Sequence, residues 1–149
     1  MGIDKLIFPP FETRIKKIDG KTAIFDRIRK KYIILTPEEW IRQHLIHFLI
    51  NELKYPKSLI SVEDGMNINK MQKRSDVIVY DRDGALFLVV ECKSAKIKLT
   101  QKSMIQLSNY NQYYKAKFLV LTNGLQVIIC KVDYITKSIE FLDQFPEFR

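Results

Sequence analysis

The chain has 149 residues, a length that fits one domain around one hydrophobic core. Hydrophobic residues make up 46% and charged residues 28%, with nine Phe and seven Tyr, which excludes a disordered chain. Lys and Arg outnumber Asp and Glu by 25 to 17, a formal charge of +8; polyanions are attracted to such a surface, although charge alone specifies no chemistry.

The elements follow in chain order. In the run from Arg14 to Phe25, Asp19-Gly20 separates two short β-prone stretches, a hairpin signal. A third stretch, 31–35, is rich in Tyr and Ile and reads as a strand. Thr36-Pro37-Glu38-Glu39 opens a helix: Thr36 suits the N-cap, Pro37 the first helical position, and Glu39 stands at capping-box spacing. Trp40, Ile41, Leu45, Phe48, Leu49 and Leu53 form its apolar stripe, and Tyr55-Pro56 ends it. On this spacing Glu38 borders the stripe and Glu39 points away from it.

A strand is expected over 58–63, followed by a loop or second strand through Asn69. The run Lys70 to Arg74 is basic. Residues 75–80 form a strand, 81–84 a turn, and 85–93 a long apolar strand of the kind found centrally in a sheet. A helix over about 100–114, a strand over 118–122, an Asn123-Gly124 turn and a strand over 126–130 complete the reading. This order predicts a mixed β-sheet flanked by helices, an α/β (α+β) fold with an N-terminal β-hairpin extension. The expected organisation is one domain: a β-rich extension over 1–35, a core over 36–132 and a tail over 133–149.

No apolar run approaches the ~18 residues needed to cross a membrane, and no signal-peptide pattern opens the chain. A cytoplasmic location without membrane partners is the expectation. Cys92 and Cys130 lie in apolar runs with no C-x-x-C spacing, so two buried free thiols are expected rather than a zinc site. His44 and His47 stand three apart on the first helix, and with no third ligand nearby a packed or exposed pair is the simpler reading.

One feature is hard to attribute to folding. Glu91 and Lys93 close an otherwise apolar strand, and residues i and i+2 share one face. In a hairpin turning at 81–84, Asp76 at the start of one strand lies beside the end of the other. Two carboxylates and the carbonyl of Cys92 are hard oxygen ligands suited to Mg²⁺ or Mn²⁺, and Lys93 can orient a water or stabilise charge on a phosphate. The Cys92 side chain should enter the core on the opposite face.

Asp76 followed by Glu91-Cys92-Lys93 resembles the D…(D/E)-x-K pattern of the PD-(D/E)XK nuclease superfamily. The nearer resemblance is to the N-terminal nuclease domain of type I restriction enzyme R subunits. It rests on Thr36-Pro37-Glu38-Glu39-Trp40-Ile41-Arg42-Gln43, Lys73-Arg74-Ser75-Asp76, Val90-Glu91-Cys92-Lys93, Gln106-x-x-x-Tyr110 and Leu121-Thr122-Asn123-Gly124. The superfamily's proline before the Asp is Ser75 here. The resemblance implies a restriction-endonuclease-like fold and metal-dependent cleavage of DNA. It implies Asp76 and Glu91 as metal ligands and Lys93 as the residue assisting water. A helical carboxylate, best matched by Glu38, and the pair Gln106 and Tyr110 would play supporting roles. A small nuclease that cuts both strands often needs two sites, which points to a homodimer; separate restriction-modification subunits are the other partners the resemblance suggests. Lys73, Arg74, Lys96, Lys98 and Lys102, together with the basic run 27–31, are candidates for phosphate contact. Two rival readings are a non-cleaving module of the same fold that binds nucleic acid or a partner protein, and an RNA nuclease.

Overall fold

The computed structural model describes residues 6–64, 75–111 and 115–149, with the backbone alone at 63, 64, 75, 76 and 110. The N-terminal stretch forms β1 (Ile15–Ile18), β2 (Lys21–Asp26) and β3 (Lys31–Ile34), an antiparallel three-stranded sheet in that order. Ile18 pairs with Lys21, so Asp19 and Gly20 alone make the β1–β2 loop, with φ of 50° and 79°. Positive φ at both positions is what a type I′ turn demands, and Asp-Gly supplies it at little strain. The turn into β3 is set by Asp26, whose Oδ1 accepts the N–H groups of Ile28 and Arg29 at 2.7 and 2.9 Å.

Helix α1 (Pro37–Asn51) begins as its sequence predicts: Thr36 Oγ1 accepts the Glu39 N–H at 3.1 Å, and Pro37 fills the first turn. A short 3-10 turn (Lys57–Leu59) then leads to β4 (Ile60–Asp64), β5 (Ser75–Tyr80) and β6 (Leu86–Cys92). Between β5 and β6, Asp81 Oδ1 accepts the N–H of Asp83 and of Ala85, both at 2.9 Å, and fixes the turn. Helix α2 (Gln101–Tyr110), capped by Thr100, carries the chain across to β7 (Phe118–Thr122). Strands β8 (Val127–Asp133) and β9 (Ser138–Leu142) complete a six-stranded sheet ordered β4-β5-β6-β7-β8-β9. Strand β6 is interior. It runs parallel to β7 and antiparallel to β5, as a β–α–β crossover through α2 requires.

The apolar runs of the central strands bury both faces. Val77, Val79, Leu88, Val90 and Val120 pack with Ile41, Leu45 and Leu49 of α1. Ile78, Val89, Leu119 and Leu121 pack with Leu99 and Met104 on the α2 side. Each such side chain contributes about 1.5–3 kcal/mol on burial. Cys92 joins the α1-side core and Cys130 the α2-side core; both are free thiols, and burial pushes the Cys130 thiol up to about 11. The stretch expected as a mixed tail supplies β9, and beyond it Phe145 and Phe148 pack against Phe48, Tyr55 and Phe87. Tyr55 donates to the Pro146 carbonyl at 2.5 Å.

The main departure from the sequence reading lies on α1. Glu39 does not face solvent; it is 3% exposed. Its carboxylate accepts from Arg29 Nη2 at 3.1 Å, Arg42 Nε at 3.0 Å and Gln43 Nε2 at 2.9 Å, and Arg42 Nη2 closes a second bond to it. Arg29 Nε and Gln43 Nε2 also bond Asp26, at 2.8 and 3.0 Å. The β2–β3 turn brings Asp26 and Arg29 against the face of α1 opposite its apolar stripe, so a face that reads as solvated is interior. Buried charges persist there because each is paired.

His44 and His47 are packed. His44 Nδ1 donates to the Trp40 carbonyl at 2.9 Å, and His47 stacks on Phe11 with ring centroids 4.0 Å apart. Burial, with the nearby charges of Arg27 and His44, lowers His47 from 6.5 to about 4. The folded form therefore refuses a proton that the unfolded chain accepts. This contribution to stability is complete above pH 6.5 and is lost as pH falls from there towards 4, by up to about 3 kcal/mol. Asp26 acts in the same direction at lower pH: burial opposes its charge, but the Arg29 N–H, the Arg29 guanidinium and Gln43 outweigh it and hold the carboxyl low. Urea unfolding at pH 7.5, 5.5 and 4.5 should show a falling midpoint, and His47→Phe should flatten the upper part of that fall.

Candidate active site

Alternation along β6 sends Val90 and Cys92 into the α1-side core and Val89 to the other side. Glu91 shares the side of Val89 and is 3% exposed. Lys93, one residue past the strand, sets its Nζ 2.7 Å from Glu91 Oε2, with a quarter of its own side chain open to solvent. A nearly buried carboxylate is thus held at a strand end by an ammonium that reaches water.

The neighbouring strand fixes this end. The Lys93 N–H donates to the Thr122 carbonyl at 2.8 Å, one step beyond the Cys92–Thr122 pair that closes the ladder. In the turn that follows, Asn123 Oδ1 accepts the N–H of Leu125 and Gln126 at 2.9 and 2.8 Å. Its Nδ2 donates to the Ile97 carbonyl at 2.6 Å and so ties down the loop after Lys93. Thr122 Oγ1 donates to the Gln126 carbonyl and accepts the Gly124 N–H. The Thr-Asn-Gly motif therefore positions the Lys93 backbone.

Gly124 has φ +85°, and an added Cβ would stand 2.8 Å from Leu6 and 3.0 Å from Ile41 of α1. Gly124→Ala should cost about 1–3 kcal/mol through backbone strain and overpacking. Thermal unfolding would register this as a drop of several degrees; an unchanged midpoint would contradict the packing described.

Asp76 lies on β5. Val77 pairs with Val90, and continuing that antiparallel register by one residue brings Asp76 alongside Glu91. On its other side Asp76 pairs with Glu63. These are backbone placements; the Asp76 and Tyr110 side chains, and Lys73 and Arg74 altogether, lie outside the described residues. Lys96, Lys98 and Lys102 are exposed along the loop after Lys93 and the first turn of α2, and Gln106 is exposed further along that helix. Glu38 is half-buried in the first turn of α1. Among the described residues, neither Glu38 nor Gln106 makes a side-chain hydrogen bond or ion pair. The carboxylate that α1 buries is Glu39. Its spacing to Arg42 and Gln43, three and four residues on, was the available signal for that role.

Among the described residues, the strand end offers the Glu91 carboxylate, a hard oxygen donor of the kind that divalent cations take. Among the described residues no three His, Cys, Asp or Glu side chains converge as a metal site. No helix among the described residues is long and apolar enough to cross a membrane.

Comparison with curated proteins finds no match for the chain. A family model described as "Type I restriction enzyme R protein N terminus (HSDR_N)" matches residues 37–146. That span includes α1, the Glu91–Lys93 strand end and the Thr-Asn-Gly turn, and covers about three quarters of the 149 residues. The chain belongs to the family of type I restriction enzyme R protein N-terminal domains, a nuclease-related family.

Proposed function

We propose that the chain is a metal-dependent DNA nuclease that hydrolyses phosphodiester bonds at the end of β6. The observation that carries this reading is the Glu91–Lys93 pair, 2.7 Å apart at the end of an interior strand. A buried ion pair is a weak device for stability, since apolar side chains would hold the same strand end at least as well. It is an effective device for chemistry. Asp76 and Glu91, with the Cys92 carbonyl, would hold Mg²⁺ or Mn²⁺. When bound, the ion supplies Lewis acidity to a phosphate oxygen and lowers the pKa of a water.

Lys93 has two tasks in this reading. Its ammonium orients the attacking water, and it stabilises charge that builds on the phosphate as the new P–O bond forms and the old one breaks. The Thr122 carbonyl keeps its backbone in place while the long side chain remains partly solvated. Glu38, Gln106 and Tyr110 take supporting positions. Lys73, Arg74, Lys96, Lys98 and Lys102 would contact the DNA backbone. Cutting both strands takes two such sites, which two copies of the chain would supply, and further restriction-modification subunits would be the natural partners.

The test is conversion of supercoiled plasmid to nicked or linear DNA in Mg²⁺ or Mn²⁺, with EDTA as control and single-stranded DNA and RNA as alternative substrates. Metal-dependent cleavage of DNA is the expected result. Cleavage of RNA alone would replace the substrate, and DNA binding without cleavage of any substrate would favour a non-cleaving module.

A further inference from the structure

Outside the segment matched to the family, the three-stranded N-terminal sheet borders a cleft of about 640 Å³. Its four cations come from three places in the sequence: Arg14 before β1, Arg27 and Lys30 in the β2–β3 turn, and Lys57 in the 3-10 turn after α1. Among the described residues, Glu12 is the one carboxylate on its walls. Arg14, Lys30 and Lys57 are exposed, and among the described residues none of the four cations forms an ion pair. Arg27 donates to Asn51 Oδ1 at 3.4 Å.

The basic run that sequence presents as one feature is divided by the fold. Arg29 turns inward to Asp26 and Glu39, while Arg27 and Lys30 line the cleft. Lys30 does so from a left-handed backbone position, φ 57°, where Asn or Gly would be less strained. The Arg14 guanidinium lies over the Phe25 ring, 4.2 Å from its centroid, which holds it flat and pre-oriented. Like charges gathered around a concavity repel one another and focus a positive potential, and an anion relieves that repulsion.

We propose that this cleft is a second DNA-contact site, which seats backbone phosphates of a duplex away from the strand end that carries Glu91 and Lys93. Helix α1 joins the two places: Ile41 packs beside Gly124, next to the turn that fixes Lys93, and Asn51 borders the cleft. Ten helical residues separate them, about 15 Å along the axis, a distance spanned by roughly nine duplex phosphates counted over both strands. The choice of DNA as ligand rests on the nuclease reading; the cleft and its charge do not.

The test is binding of a fluorescently labelled duplex in EDTA, followed by anisotropy across a range of salt concentrations. The wild type is compared with a triple variant, Arg14→Gln, Lys30→Asn and Lys57→Gln, and with a control that removes as many charges elsewhere, Lys21→Gln, Lys131→Gln and Lys137→Asn. All six positions are exposed, so both variants should fold. The cleft variant should bind about a hundred-fold more weakly near 0.1 M salt, with a salt slope shallower by about 2–3, whereas the control stays near wild type. Equal weakening of both variants would overturn the proposal in favour of diffuse charge. Binding of inorganic tripolyphosphate without binding of duplex DNA would overturn it in favour of a small anion. Since EDTA suppresses metal-dependent cleavage, a chain that binds through the cleft but never cleaves refutes the nuclease reading and leaves the cleft standing.

Discussion

Glu91→Gln is expected to lower metal-dependent cleavage by roughly a hundred- to a thousand-fold, the range seen when one electrostatic stabiliser of a transition state is removed. The substitution keeps the size of the side chain and one oxygen, but removes the negative charge that a divalent ion needs. Stability should change little, by about 1–2 kcal/mol at most, because Lys93 is partly exposed and its ammonium can turn to water. The two readouts should therefore separate: an unfolding midpoint lowered by a few degrees at most, with weakened Mn²⁺ binding by calorimetry and loss of plasmid cleavage. Full activity in a folded Glu91→Gln variant would remove Glu91 from the reaction.

Glu39→Ala should give the opposite pattern, a large loss of stability. Glu39 is 3% exposed and Arg42 is 2% exposed, so removing the carboxylate takes a charged partner from a buried guanidinium and a hydrogen-bond acceptor from Arg29 and Gln43. Breaking one side of a buried pair in this way costs about 3–5 kcal/mol. In a chain of this length that lowers the melting temperature by roughly 10 °C. Glu38→Ala, one residue earlier, should stay within about 0.5 kcal/mol, as surface substitutions usually do. Similar melting temperatures for the two variants would show that the Asp26–Arg29–Glu39–Arg42 network does not hold the N-terminal sheet to α1. If Glu38 supports the reaction, its variant should lose activity while keeping stability.

How far the sequence reveals these features depends on how local their causes are. The Asp19-Gly20 turn, the Thr36-Pro37 helix start and the Asp81–Gly84 turn are set by residues within a few positions of one another, and each is legible. The pairing of β5 with β6 follows from that last turn, so the proximity of Asp76 to Glu91 can be read by counting outward from it. Strand β9 is poorly legible because Ser138–Leu142 lies at a sheet edge with mostly exposed or half-buried side chains, and its apolar pattern is weak. Glu39 is misleading for a different reason. Its position off the apolar stripe suggests water, but its partner Arg29, and Asp26 which shares Arg29 and Gln43 with it, come from ten or more residues earlier and only tertiary structure places them over the helix. The cleft is hidden in the same way, since Arg14, Lys30 and Lys57 converge from separate elements.

The Glu91–Lys93 strand end as a metal-dependent phosphodiesterase site is tested most directly by plasmid cleavage by the wild type beside Lys93→Ala at equal Mg²⁺. Lys93 is partly exposed and its backbone bond to Thr122 survives truncation, so the variant should fold and bind DNA, with some loss of stability because the nearly buried Glu91 loses its ammonium. Metal-dependent cleavage by the wild type and a loss of at least about a hundred-fold in the variant are expected. Equal cleavage by both proteins, or none by the wild type while DNA binding is intact, would contradict that assignment.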